Sequence, residues 1–234
     1  MSTPGPMEFG LSRAEESQRN FLSQVYLWMA MGLGLTGFVA WIMAGNPSVV
    51  VGLMRSPFLF MMLAIVQIGI VFWLSASIMN ISVSTATMGF SIYATLNGVL
   101  FSSLFLVYTA GSIASTFFVT AGTFAAVSVY GYATKRDLTS IGSFCFMALI
   151  GIILASIVNW FLKSPMMYWL ITYAGIAIFI GLTAYDTQQL KRIHESGSAS
   201  GAILQKLSLL GALKLYLDFI NLFIMLLRVM GRRR

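Results

Sequence analysis

Long apolar runs, separated by only a few polar residues, occupy nearly the whole chain. They cover roughly residues 22–44, 58–79, 85–108, 112–133, 142–163, 167–190 and 208–229, each longer than the ~20 residues a helix needs to cross a bilayer core. The runs are apolar all round rather than alternating. They therefore predict helices that satisfy their own backbone groups, not the strands of a transmembrane barrel. Gly45, Asn46 and Pro47 break the first span from the second, and Lys163, Ser164 and Pro165 break the fifth from the sixth. The short connection at Thr109, Ala110 and Gly111 folds the third and fourth spans into an antiparallel hairpin. The one sizeable loop, "KRIHESGSASGAILQK", is Gly/Ser-rich and reads as flexible. No internal repeat supports an inverted-repeat transporter. The pattern predicts an all-α integral membrane bundle of seven helices: a polar N-terminal tail over 1–21, one membrane domain over 22–230 and a basic tail over 231–234.

Composition agrees. The 234 residues are 58% hydrophobic and 9% charged, against roughly 25% charged in a soluble domain. The net charge of +7 comes from basic residues scattered through short loops and tails. That distribution describes membrane topology rather than a nucleic-acid-binding face. The first run is too long for a signal-peptide core, and Glu8, Glu15 and Glu16 stand beside Arg13 and Arg19 ahead of it; it is expected to be retained as a span. Cys145 is the sole cysteine and lies in an apolar run, which excludes an intrachain disulfide and leaves a packing role. Trp28, Trp41 and Trp169 near span ends read as interface anchors or lipid-facing bulk. The sequence has no metal-ligand cluster, phosphate-binding loop or serine–histidine arrangement, and the only histidine, His194, lies in a loop. No cofactor and no enzymatic activity are expected.

Counting basic residues gives a conflict. With seven crossings and a cytoplasmic N-terminus, Arg13, Arg19, Lys135, Arg136, Lys191, Arg192 and Lys206 lie inside. Arg55, Lys163, Arg228, Arg232, Arg233 and Arg234 then lie outside, a bias of only seven to six. If the last segment turned back without crossing, the four C-terminal arginines would move inside and the count would become eleven to two. The N-terminus stays inside under both arrangements.

Of the seven acidic residues, only Asp186 and Asp218 fall within spans. A charge at a helix centre costs roughly 2.5–3.5 kcal/mol on insertion scales, so such a residue points to function and faces the bundle interior or a wet cavity. In the last span Gly211, Lys214, Asp218, Asn221, Met225 and Arg228 recur at steps of three and four, forming one polar seam on an otherwise greasy helix. In the sixth, Phe179, Thr183 and Asp186 share a face, while Ala174, Ala177, Gly181 and Ala184 form a smooth face roughly opposite, suited to close helix contact. The two aspartates are expected to meet somewhat to the inner side of the midplane. Two carboxylates close together in low dielectric do not both ionise cheaply and titrate as a unit, which makes a proton switch. When ionised, the pair offers up to four oxygens as part of a transient calcium site, with Asn221 and Asn97 as further ligands. The plainer alternatives are an aspartate pairing with Lys214 one turn earlier, and asparagines acting as interhelical hydrogen-bonding glue.

The stretches "YGYATKRDLTSIGSFCFMALIGI" (130–152), "GLTAYDTQQLKRI" (181–193) and "LGALKLYLDFINLFIMLLR" (210–228) resemble the Bax inhibitor-1, or transmembrane Bax inhibitor motif, family, most closely its enterobacterial-type inner-membrane members. The resemblance covers essentially the whole chain, and "LYLDFINLF" is its most specific marker. It implies a seven-helix fold whose last helix is wrapped by the other six, and a pH-sensitive calcium leak. It also implies that the aspartate pair of a bacterial relative carries over onto Asp186 and Asp218. In that relative an arginine after the aromatic pair of the second span latches the sixth-helix aspartate; here the matching positions are Ser75, Ala76 and Ser77. Lys214 stands where relatives carry a small or hydroxyl residue, and is the candidate replacement for the missing latch.

Three functions are therefore in view. The leading expectation is a proton-gated cation leak of the bacterial inner membrane, with Asp186 and Asp218 as gate and Lys214, Asn221, Asn97 and Thr183 along the path or latch. The second is a regulatory protein that acts by binding another membrane protein, such as a membrane-bound protease. The third is an intramembrane aspartyl protease, disfavoured because Leu215, Tyr216 and Leu217 precede the second aspartate where glycines would let a substrate backbone approach. The expected partners are membrane lipids, calcium or other cations and a membrane protein, with no nucleic acid.

Overall fold

The computed structural model describes residues 6–195 and 201–234, with side-chain surroundings for 18–193 and 201–234. The tail side chains Glu8, Arg13, Glu15 and Glu16, the side chains of His194 and Glu195 at the end of α8 (Pro165–Glu195), and residues 196–200 lie outside those described. Among the described residues the chain forms nine helices: α1 (Pro6–Ala44), α2 (Pro47–Arg55), α3 (Pro57–Ser77), α4 (Val83–Phe101), α5 (Leu104–Val107), α6 (Ala110–Ala133), α7 (Thr139–Leu162), α8 (Pro165–Glu195) and α9 (Ala202–Met230). Seven segments, with α4 and α5 counted as one, are long and apolar enough to cross a membrane. Each apolar run predicted from sequence is matched by one of them.

Two details go beyond the hydropathy pattern. The break at Gly45–Pro47 leads into α2, which starts with Pro47 in the first turn and ends where Ser56 and Pro57 begin α3. The third span is interrupted at Ser102 and Ser103, whose hydroxyls donate to Val99 and Leu100 carbonyls three residues back, each at 2.6 Å. Such local bonds compete with the helical ladder and bend it.

Helix α9 carries the most buried span, with 61% of its most apolar window buried against 11–39% in the other six. It packs on α1, α8, α6 and α4. Tyr216, Leu215 and Leu222 on α9 are completely enclosed. Buried polar groups also tie α9 to its neighbours: the Tyr216 hydroxyl meets Thr36 Oγ1 at 2.6 Å, and Thr36 lies 2.9 Å from the carbonyl of Ala94. One hydroxyl thus links α1, α4 and α9. With no water in the bilayer core, each such group needs a protein partner.

Helix α8 lies between α6, α7 and α9. Its small residues permit the approach: Gly131 of α6 abuts the Ala184 backbone, and Gly181 abuts the Cys145 sulfur of α7. Cys145 is free and buried, as a packing residue.

The last segment crosses the bundle completely. Beyond α9, the Thr109 N–H donates to Arg232 O and the Arg234 N–H to Val107 O, each at 3.0 Å, around a bridge between Tyr108 and Arg233. The C-terminus is thereby stapled to the start of α6, at the opposite end of the bundle from the 134–138 loop. This overturns the turn-back arrangement: a continuous 29-residue helix has no break at which to reverse. A compartment-specific reporter fused after Arg234 is expected to report the side opposite the N-terminus. A signal from the same side would contradict the fold.

Candidate functional site

A cavity of about 770 Å³ opens between α7, α8 and α9, and it receives the polar seam of α9. Lys214, Asp218, Asn221 and Met225 line it, and α8 contributes Asp186 and Gln189. The seam arises because steps of four, three and four residues keep these side chains on one face of the helix. Gly211 falls outside the cavity, where it is packed against Leu190 and Val25. Arg228 emerges at the far end.

Both intramembrane aspartates face this one cavity. Lys214 Nζ lies 3.9 Å from Asp186 Oδ1 and donates to Gln189 Oε1 at 3.0 Å. The lysine therefore bridges to α8 and does not form its ion pair with Asp218 on its own helix. Asp218 is enclosed, and its Oδ2 has no hydrogen-bond partner among the described residues. An orphaned carboxylate oxygen in such a place is costly, and a proton or a cation at that oxygen removes the cost. Asn221 donates through Nδ2 to Leu217 O at 2.8 Å, which leaves its side-chain oxygen for the cavity.

Two sequence-level candidates sit elsewhere. Asn97 is buried on α4 and donates to Tyr93 O at 3.2 Å, within its own helix. Thr183 is fully buried and donates to Phe179 O at 2.7 Å. Neither lines the cavity; each donates to the carbonyl four residues back on its own helix. Conversely, the sequence reading passed over Gln189, although it lies three residues after Asp186 and so shares its helix face. Its neighbour Gln188 clamps the 134–138 loop, accepting from Leu138 N–H at 2.9 Å and donating to Arg136 O at 2.8 Å. The "AYDTQQ" stretch thus holds the carboxylate, the loop clamp and the lysine's acceptor in succession.

Outside the spans, the remaining described carboxylate is Asp137. The Thr139 hydroxyl and N–H, then Arg192, hold its carboxyl down at about 2. A depressed value means that any stabilisation from this cluster is full above the ordinary value of 3.8 and is lost as pH falls from there through about 2. A response to pH near neutrality cannot originate there.

The chain is similar over most of its length to known proteins. Residues 18–234 match the family described as Inhibitor of apoptosis-promoting Bax1. The chain belongs to the Bax inhibitor-1 family. Among similar proteins of this family, "Inner membrane protein YbhL" of Escherichia coli is 52% identical over 217 residues, covering 92% of this chain and 93% of the relative. An uncharacterized protein of Borreliella burgdorferi is 42% identical, covering 93% and 94%. An uncharacterized membrane protein of Streptococcus pyogenes is 34% identical, covering 94% and 96%.

Proposed function

We propose that this Bax inhibitor-1 family protein is a proton-gated cation leak of the bacterial inner membrane, with its N-terminus in the cytoplasm and calcium as its cargo. The observation that carries the reading is the meeting of Asp186, Asp218 and Lys214 on one cavity inside the bundle. Asp218 supplies an enclosed carboxylate oxygen for a passing cation. Asp186, while ionised, draws the Lys214 ammonium across the cavity, where a fixed positive charge repels an incoming cation. Protonating Asp186 removes that attraction and frees Lys214 to swing away. Among the described residues no group of three or more His, Cys, Asp or Glu side chains is placed to hold a metal. Two carboxylates and one amide fall short of the six to eight oxygens that calcium takes in a stable site, which suits passage rather than retention.

The test is calcium flux through purified protein in proteoliposomes across a pH series. Flux is expected to rise on acidification, and Lys214→Ala is expected to raise flux at neutral pH to near the acid value of the unaltered protein. Flux no greater than in empty vesicles at any pH would overturn the proposal. A Lys214→Ala profile that superimposes on the unaltered one would remove the latch role of the lysine.

A further inference from the structure

The six basic residues at the C-terminal end of the bundle remain unexplained by the ion path, and they stand on the side that topology bias disfavours. Three of them converge. Lys163, Arg228 and Arg233 line a second cavity of about 590 Å³ together with Asn159, Tyr168 and Trp169. Among the described residues no acidic side chain lines it, and the ion pairs found among them, Arg192–Asp137 and Lys214–Asp186, lie elsewhere.

The cations are positioned rather than scattered. The Arg228 guanidinium sits over the Tyr168 ring, 5.3 Å from its centroid, which fixes it at the cavity wall. Arg233 is placed by the backbone staple to Tyr108. Lys163 closes α7 in the left-handed region, at φ 51°, and directs the chain into α8. The amino-terminal end of α8, a 31-residue helix, opens on the same cavity at Ser164 and Pro165. A helix N-terminus adds partial positive charge and favours an anion. Beside it, Met166 and Leu170 are exposed, at 82% and 65%, on the lipid-facing side of α8. Three cations, a helix N-terminus, an aromatic wall and an apolar flank together match a phosphate group that carries acyl chains.

We propose that this cavity binds the phosphate headgroup of an anionic phospholipid, with Lys163, Arg228 and Arg233 as its ligands and Trp169 at the level of the glycerol backbone. The lipid neutralises charge that would otherwise repel itself at this end of the bundle. It also ties α7, α8 and the C-terminal staple to the membrane surface. The site stands apart from the aspartate cavity and does not depend on the leak reading.

The experiment is native mass spectrometry of the full chain, released from detergent after incubation with phosphatidylglycerol, with phosphatidylcholine or with inorganic phosphate. One phosphatidylglycerol is expected to be retained in strong preference to phosphatidylcholine. The Lys163→Gln/Arg228→Gln pair is expected to weaken retention about 30-fold, from the attraction each basic residue contributes at an anionic surface. Lys163→Gln alone, at an exposed side chain, gives a smaller loss in a protein that still folds. Lys191→Gln, which removes a cation at the opposite end of the bundle, leaves retention unchanged. Equal retention of the two lipids, an equal loss in Lys191→Gln, or inorganic phosphate held as tightly as the lipid would overturn the proposal.

Discussion

Asp218→Asn is expected to give a folded protein whose calcium flux is low at every pH, with the ratio between acid and neutral flux falling to about one. Asparagine keeps the shape of aspartate but cannot ionise, so the cavity loses the enclosed carboxylate that would carry a cation past the bundle's interior. Stability is expected to stay level or to rise, because a buried oxygen without a partner no longer has to accommodate a charge. Asp186→Asn has a different signature. It mimics the protonated state of the residue facing Lys214 and is expected to give flux that is high and insensitive to pH. The two variants therefore separate ion path from latch. Two profiles indistinguishable from the unaltered protein would remove both roles.

Gly131→Val is expected to destabilise the bundle at the contact between α6 and α8. A Cβ at Gly131 lands on the backbone of Ala184, and a helix backbone cannot yield as the end of a flexible side chain can. Separating α6 from α8 to admit it forfeits close packing along the small-residue face, at a cost of about 3 kcal/mol or more. For a domain of this size, that loss lowers the thermal midpoint in detergent by roughly 10 °C. Gly122→Val, on the same helix but with open space around it, serves as the control and leaves the midpoint nearly unchanged. Equal midpoints for the two variants would show that α6 and α8 do not meet as described.

The sequence revealed the spans because a bilayer demands about 20 apolar residues in a row, and it revealed the seam because helical periodicity is local. Lys214, Asp218, Asn221 and Met225 could be placed on one face from spacing alone, and the structure puts all four on one cavity. Which neighbour that face meets is a matter of helix register, which no local pattern encodes. For that reason the Tyr216–Thr36 bond between residues 180 positions apart was invisible, as was the reach of Lys214 to Gln189. Asn97 and Thr183 were overvalued for a related reason. A polar side chain in a span needs a partner, but a carbonyl four residues back on the same helix suffices. Charge left the side of the C-terminus undecided, because with seven crossings the basic residues divide seven to six. The backbone staple at Val107–Thr109 places the C-terminus at the end of the bundle where α6 begins.

The central claim is that protonation within the Asp186–Asp218 cavity sets the flux. Its most direct test is difference infrared spectroscopy of the carboxyl C=O stretch in the same proteoliposomes used for calcium flux, titrated over the same pH range. The account predicts a protonated-carboxyl band that grows with the same midpoint as the flux and is lost or shifted in Asp186→Asn. Flux that changes with pH while no carboxyl band assignable to Asp186 or Asp218 changes with it would contradict the account.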